Sequence, residues 1–158
     1  MPHRSAGRIL EETKMATTSN KPDAVSDFVI DHVAVSVSNL NRSIEFYQRN
    51  FGFACERVTD MLKGNGKVAL LKKQGFTIEM FEISNALPLP EYRKTFEGDL
   101  KTIGVKHFAV RVRDITGAYD FLKNNGVDFS SEPVVGGRGF KRFFLKDPDG
   151  IQIEITEY

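Results

Sequence analysis

The chain has 158 residues, 41% of them hydrophobic, which is enough to bury one core and suits one domain or two small modules. Its 22 basic and 21 acidic side chains nearly cancel, so no overall field draws the protein to nucleic acid or to an anionic membrane. The single cysteine, Cys55, excludes an internal disulfide, and no apolar run approaches the roughly 20 residues that span a bilayer, so we expect a cytoplasmic protein.

The chain divides into a polar tail, two similar modules and a connection between them. Residues 1–26 are polar, with six Ser and Thr and seven charged side chains, and lack apolar periodicity, which is typical of a disordered tail. Residues 27–158 are expected to form the folded domain, with module 1 at 28–83 and module 2 at 104–158. The connection, 84–103, contains two prolines and is interpreted as an inter-module linker, with a lid or binding loop as the alternative.

Module 1 is predicted to be a βαβββ unit. Apolar residues at helical spacing between Asn39 and Gly52 predict an amphipathic helix with an asparagine N-cap and a glycine stop. Alternating or apolar runs bounded by turn signals predict the strands. The predicted strands are 28–37, 54–60, 66–73 and 75–83.

Module 2 repeats this order. Asp114 takes the cap position of Asn39, and Gly126 ends the predicted helix. The run that starts at Gly150 matches the run that starts at Gly75 at four of eight positions. The predicted strands are 105–113, 127–135, 140–146 and 150–157. The chain is therefore interpreted as a tandem duplication.

Both copies carry a histidine and a glutamate at matching positions. His32 and His107 are 107 − 32 = 75 residues apart, and Glu79 and Glu154 are 154 − 79 = 75 apart. Strand alternation places all four on the non-core faces of their sheets, so closure of the two modules around a pseudo-twofold axis would bring them into one cavity. Imidazole nitrogens and carboxylate oxygens suit Zn²⁺, Ni²⁺, Co²⁺, Mn²⁺ or Fe(II), and the absence of thiolates argues against a structural zinc. We predict a divalent metal ion held by these four residues.

The same alternation selects candidate substrate contacts. Ser36, Phe81 and Thr156 point to the predicted cavity side of their strands. Arg111, four residues after His107, has that parity too and suits a carboxylate or phosphate, with a surface ion pair as the alternative.

A glycine-rich run, residues 136–139, precedes Lys141 and Arg142. Such a run is compatible with an anion-binding loop, but a flexible hairpin tip is the favoured interpretation.

These motifs resemble a known superfamily. The residues that carry the resemblance are His32 to Val35, the predicted helix from Asn39 to Tyr47, Gly52 and Phe53, Ile78 to Met80, His107 to Val110, and Asp147 to Glu154. Together they are similar to the vicinal oxygen chelate superfamily, which includes glyoxalase I, methylmalonyl-CoA epimerase, extradiol dioxygenases and bleomycin-resistance proteins. The resemblance implies an α+β fold in which two tandem βαβββ modules form a cupped mixed β-sheet with helices on the outside. It also implies a homodimer and a divalent metal that chelates two adjacent oxygens of a small-molecule substrate.

Retention of all four ligands resembles the glyoxalase I and epimerase branch. In that branch a ligand carboxylate shuttles a proton next to a carbonyl, which implies a lyase or isomerase with Glu154 as the base and Glu79 as the second acid/base. Bacterial glyoxalase I has an arginine at the position of Ser36 and an asparagine at the position of Ile83. These departures argue against glutathione recognition.

Two alternatives stay open at this point. An Fe(II) extradiol dioxygenase would use His32, His107 and Glu154 as its ligands and leave Glu79 outside them. A bleomycin-resistance-type protein would bind a small molecule without catalysis, although such proteins generally lack the metal residues.

Overall fold

A computed structural model describes residues 29–158, and the predicted tail at 1–26 lies outside them. The strands are β1 His32–Ser36, β2 Ala54–Met61, β3 Gly66–Lys73, β4 Phe76–Ile83, β5 His107–Val112, β6 Asp128–Phe129, β7 Val134–Val135, β8 Lys141–Lys146 and β9 Gln152–Glu157. The helices are α1 Leu40–Phe51, α2 Phe96–Leu100 and α3 Ile115–Asn124. None of the helices in this part of the chain is long and apolar enough to cross a bilayer.

Each module builds its own mixed sheet. The strand order is β1-β4-β3-β2 in module 1 and β5-β9-β8-β6 in module 2, where β7 also pairs with β8. The first and last strands of each module pair in parallel, and the remaining pairs are antiparallel. This arrangement confirms the predicted α+β fold of two βαβββ modules.

The predicted caps set the two long helices. The Asn39 side chain accepts a hydrogen bond from the backbone N–H of Arg42 at 2.9 Å, and Gly52 ends α1 in the left-handed conformation with φ 67°. Asp114 accepts from the N–H of Gly117 at 2.9 Å in the same way. Both helices therefore begin where the sequence predicts.

The two modules share one hydrophobic core on the helix side of the sheets. The Tyr47 ring of α1 stacks on Phe108 of β5 with 6.3 Å between centroids, so module 1 packs directly on module 2. Apolar residues of β4 and β9 are buried there. They include Ile78, Met80, Ile153 and Ile155, each at most 1% exposed. Because side chains alternate along a strand, Glu79 and Glu154 lie on the opposite faces.

The prediction of one strand at 127–135 is wrong. The structure has two short strands there, Asp128–Phe129 and Val134–Val135. The backbone N–H groups of Ser130 and Ser131 both donate to the Phe144 carbonyl, at 2.8 and 3.2 Å, which breaks the ladder. Pro133, just before the second strand, has no N–H with which to continue it.

The connection between the modules is folded. It contains a 3₁₀ turn, Glu91–Arg93, and the short helix α2. The buried Asp99 carboxylate accepts from Arg93 Nε at 2.6 Å and lies 3.5 Å from Lys106 Nζ. This ion cluster anchors the connection to the start of β5.

Candidate metal centre

The first histidine–glutamate pair lies at the β1–β4 junction. His32 Nε2 is 3.5 Å from Glu79 Oε2, and both side chains are partly exposed. His32 Nδ1 lies 2.8 Å from Asp31 Oδ2, and an Nδ1–H that donates to this carboxylate leaves the Nε2 lone pair available. The same hydrogen bond raises the pKa of His32 above its ordinary value, with burial opposing and the Glu79 charge assisting.

The second pair lies at the β5–β9 junction and is more enclosed. His107 Nε2 is 3.1 Å from Glu154 Oε2, and the Glu154 side chain is only 5% exposed. Arg142 on β8 reaches the same carboxylate from its other side, where Nη1 donates to Oε1 at 3.3 Å. His107 Nδ1 is buried and has no hydrogen-bond partner among the described residues.

The two pairs are equivalent by register. In β1–β4, Ala34 lies opposite Glu79, and in β5–β9, Ala109 lies opposite Glu154, so each histidine sits two residues before the partner of its glutamate. The two halves of the sequence repeat therefore place their histidine and glutamate in the same relative positions.

A single chain nevertheless does not gather the four predicted ligands. Within residues 29–158, no group of three or more His, Cys, Asp or Glu side chains is placed to hold one metal ion. An open cleft of about 1360 Å³ borders both His32 and His107. These histidines lie on β1 and β5, and among the strands of residues 29–158 each of the two has one neighbour and an unpaired outer edge. The described chain thus holds two separate histidine–glutamate pairs, and the open cleft borders the histidine of each.

The four predicted substrate contacts fall in different places. Ser36 lines the open cleft, and its register partner Phe81 is partly buried. Thr156 is buried and lines a smaller cavity together with Glu154. The Arg111 guanidinium lies over the Tyr158 ring, 5.5 Å from its centroid, and not in either cavity. Of the four, Thr156 lies beside a predicted ligand.

Three residues near the histidine–glutamate pairs were not predicted from the sequence. Asp31 orients His32, and its position next to this histidine in the sequence could have indicated the contact. Phe144 packs edge-to-face on His107 with centroids 5.2 Å apart, and the Phe96 ring of α2 lies 4.9 Å from Phe144. The connection therefore contributes to the wall behind the second pair, which no local pattern indicates.

The donor set fits a divalent metal ion. Each pair holds an imidazole nitrogen and a carboxylate oxygen within 3.5 Å of each other, and such donors suit first-row divalent ions. Two donors are fewer than the roughly four to six that these ions take in proteins. One pair alone therefore supplies too few protein donors for such an ion.

A family model identifies the superfamily of this chain. The model described as Glyoxalase/Bleomycin resistance protein/Dioxygenase superfamily matches residues 29–155. The chain belongs to this superfamily. This confirms the resemblance found in the motifs.

Relatives within the superfamily include proteins with assigned names. The chain is 30% identical over 131 residues to lactoylglutathione lyase GLX1 of Arabidopsis thaliana, in a match that covers 80% of this chain and 43% of that protein. It thus spans less than half of that plant relative. A lactoylglutathione lyase of Pseudomonas aeruginosa is 26% identical over 156 residues, with 87% of each chain covered. The crystal structure of a glyoxalase family protein from Enterococcus faecalis superposes with a TM-score of 0.71 at 28% identity, covering 82% of this chain and 97% of that one.

Proposed function

We propose that this protein is a divalent-metal-dependent enzyme of the glyoxalase type, which moves a proton next to a carbonyl group of a small substrate. The observation that carries this proposal is the duplicated histidine–glutamate pair, placed in the same register on the non-core face of both sheets. Superfamily relatives that bear the name lactoylglutathione lyase support the same reaction class.

The metal would be held by His32 and Glu79 of one chain and by His107 and Glu154 of a second copy. Each pair supplies two donors, and a second copy of the chain supplies the two that are missing. The unpaired outer edges of β1 and β5 border the open cleft and give the second copy a place to pack. A symmetric homodimer then contains two equivalent four-ligand sites.

The side chains around the pairs have separate tasks in this proposal. A bound divalent ion would act as a Lewis acid on the carbonyl oxygen of the substrate. Asp31 holds His32 in the tautomer that presents Nε2. Glu154 takes the proton from the carbon next to the carbonyl, and Arg142 fixes its orientation through Oε1. Glu79, which is more exposed, returns the proton on the other side.

Metal content tests the ligand assignment. Purified protein, stripped and then reloaded with Ni²⁺, Zn²⁺, Co²⁺, Mn²⁺ or Fe²⁺, should retain about one ion per chain, as expected for two sites in a dimer. The variants His32→Ala, Glu79→Gln, His107→Ala and Glu154→Gln should each bind that ion at least about tenfold more weakly. Glu56→Gln is the matched control, because Glu56 is an exposed strand glutamate paired with Lys72. Wild-type affinity in all four variants would refute the assignment.

Activity tests the reaction class. Hemithioacetals, epimerisable acyl thioesters and catechols separate lyase, epimerase and dioxygenase chemistry. We expect turnover with one of the first two, and loss of turnover in Glu154→Gln because the base is removed. Oxygen consumption with catechols, and none of the other reactions, would favour the dioxygenase alternative.

A further inference from the structure

A second cavity lies behind Glu154, on the side away from the apolar core. It has a volume of about 200 Å³ and is lined by the β7–β8 hairpin, by Arg142 on β8, and by Glu154 and Thr156 on β9. The hairpin is the glycine-rich run, which closes through hydrogen bonds from Gly136 N–H to the Phe140 carbonyl and from Gly139 N–H to the Gly136 carbonyl, at 2.8 and 2.9 Å. This run is therefore a hairpin tip, as favoured from the sequence, and the tip borders the predicted base.

Arg142 is held between the hairpin and an aromatic ring. A Cβ at Gly136 would lie 2.8 Å from Arg142 Nε, so the hairpin backbone packs closely against the guanidinium. The Phe144 ring centroid is 5.4 Å from the guanidinium carbon on the β8 side. Packing between this backbone and this ring restricts the guanidinium, which favours binding of a planar or tetrahedral oxyanion.

The donors of Arg142 are not used up by the chain. Nη1 donates to Glu154, and the side chain is 38% exposed, so the accessible part of the guanidinium can meet a ligand in the cavity. A guanidinium carries five N–H donors, so a single carboxylate contact leaves it able to bind a second acceptor. Arg138 at the hairpin tip adds a second guanidinium to the cavity lining.

The net charge of the residues that line this cavity favours an anionic ligand. Two arginines against one glutamate give +2 − 1 = +1, and the Thr156 hydroxyl adds a neutral donor. A small oxyanion matches this balance, whereas an apolar group would leave polar side chains without partners and a cation would meet two like charges.

We propose that this cavity is a subsite for an oxyanion group, a carboxylate or a phosphate, which the substrate carries close to its reacting carbon. The inference rests on the proposed function because it takes Glu154 as the base at the reacting carbon. It narrows the substrate class to small anionic carbonyl compounds.

Direct binding to the metal-free protein tests the subsite. Acetate and methyl phosphate are titrated into ¹⁵N-labelled metal-free protein while the arginine Nε–H resonances are followed. Arg142→Gln should weaken binding of the preferred anion by roughly tenfold, because a charge-assisted hydrogen bond at a partly exposed site is lost. Arg138→Gln, at an exposed position, should weaken it by roughly two- to fivefold. Arg57→Gln removes the same charge from an exposed strand position outside the cavity and should change nothing.

Each result of this titration either supports the subsite or overturns it. Tighter binding of acetate assigns the subsite to a carboxylate, and tighter binding of methyl phosphate assigns it to a phosphate. If neither anion binds, or if both Arg142→Gln and Arg138→Gln bind within twofold of wild type, the proposal is overturned. The exposed Arg138 variant keeps the test decisive if Arg142→Gln does not fold. Because the protein is metal-free in this assay, failure of the metal assignment would not alter the result.

Discussion

Asp147 links the two modules, and its burial makes the stability of the protein depend on pH. The carboxylate is 4% exposed in the β8–β9 turn, where Oδ1 accepts from the N–H groups of Asp149 and Ile151 at 2.9 and 2.8 Å. Oδ2 accepts from the Tyr47 hydroxyl of α1 at 3.2 Å. Burial raises the pKa of Asp147 from 3.8 to about 6, although the two backbone hydrogen bonds oppose the rise.

The direction of the effect follows from linkage. Because the folded pKa lies above the unfolded value, the folded state holds this proton more tightly, and the resulting stability is present below about pH 4. It is lost as the pH rises through about 6. A pKa difference of about 2.2 corresponds to about 3 kcal/mol in the free energy of unfolding, of which about 2 kcal/mol is lost between pH 4 and pH 7.

Asp147→Asn tests this reasoning because the amide cannot ionise but retains an oxygen for the two backbone N–H groups. Urea unfolding of both proteins at pH 4, 5, 6 and 7 gives the difference in their free energies of unfolding. We expect the variant to gain about 2 kcal/mol on wild type between pH 4 and pH 7. Asp120→Asn, an exposed carboxyl on α3, serves as the control and should show no such gain. A constant difference between the Asp147 variant and wild type across this range would refute the account.

Three further substitutions test other features. Asp31→Asn removes the carboxylate that orients the first histidine and should weaken metal binding by roughly tenfold, measured by competition with a chromophoric chelator; unchanged affinity would argue against this role. Asn39→Ala removes the N-cap of α1 and should lower the free energy of unfolding by about 1 kcal/mol in urea, whereas Asn39→Asp, which keeps an acceptor, should cost less. Asp99→Ala leaves Arg93 and Lys106 partly buried without their carboxylate and should cost about 2 kcal/mol, discounted for their partial exposure; a cost below 0.5 kcal/mol, on the scale of an exposed pair, would show that the cluster does not hold the connection.

Local signals account for most of the fold. Caps at Asn39 and Asp114 and the stop at Gly52 act within one turn of a helix, so the sequence reveals them directly. The break after Phe129 depends on two serine N–H groups that donate to the same carbonyl of a distant strand. The position of α2 depends on ionic contacts of Asp99 with Arg93, which precedes the helix, and with Lys106, which follows it. Those contacts are decided by tertiary packing, which no local window contains.

The sequence likewise predicts some features of the candidate site and not others. Strand alternation and the constant offset of the repeat predict the two histidine–glutamate pairs. They do so because β1 pairs with β4 in the same register as β5 pairs with β9. Arg142 reaches Glu154 only through the β8–β9 register, where it lies opposite Thr156. Whether the two pairs meet within one chain or between two depends on chain association, and periodicity carries no information about it.

In the proposed homodimer, each metal site takes one histidine–glutamate pair from each of two chains. This arrangement is tested by mixing His32→Ala with His107→Ala in equal amounts, allowing the subunits to exchange, and measuring bound metal at limiting concentration. A mixed dimer has one site with all four ligands and one site without either histidine, so random exchange should restore about one quarter of wild-type metal binding. Metal binding no greater than the average of the two variants alone would contradict the claim.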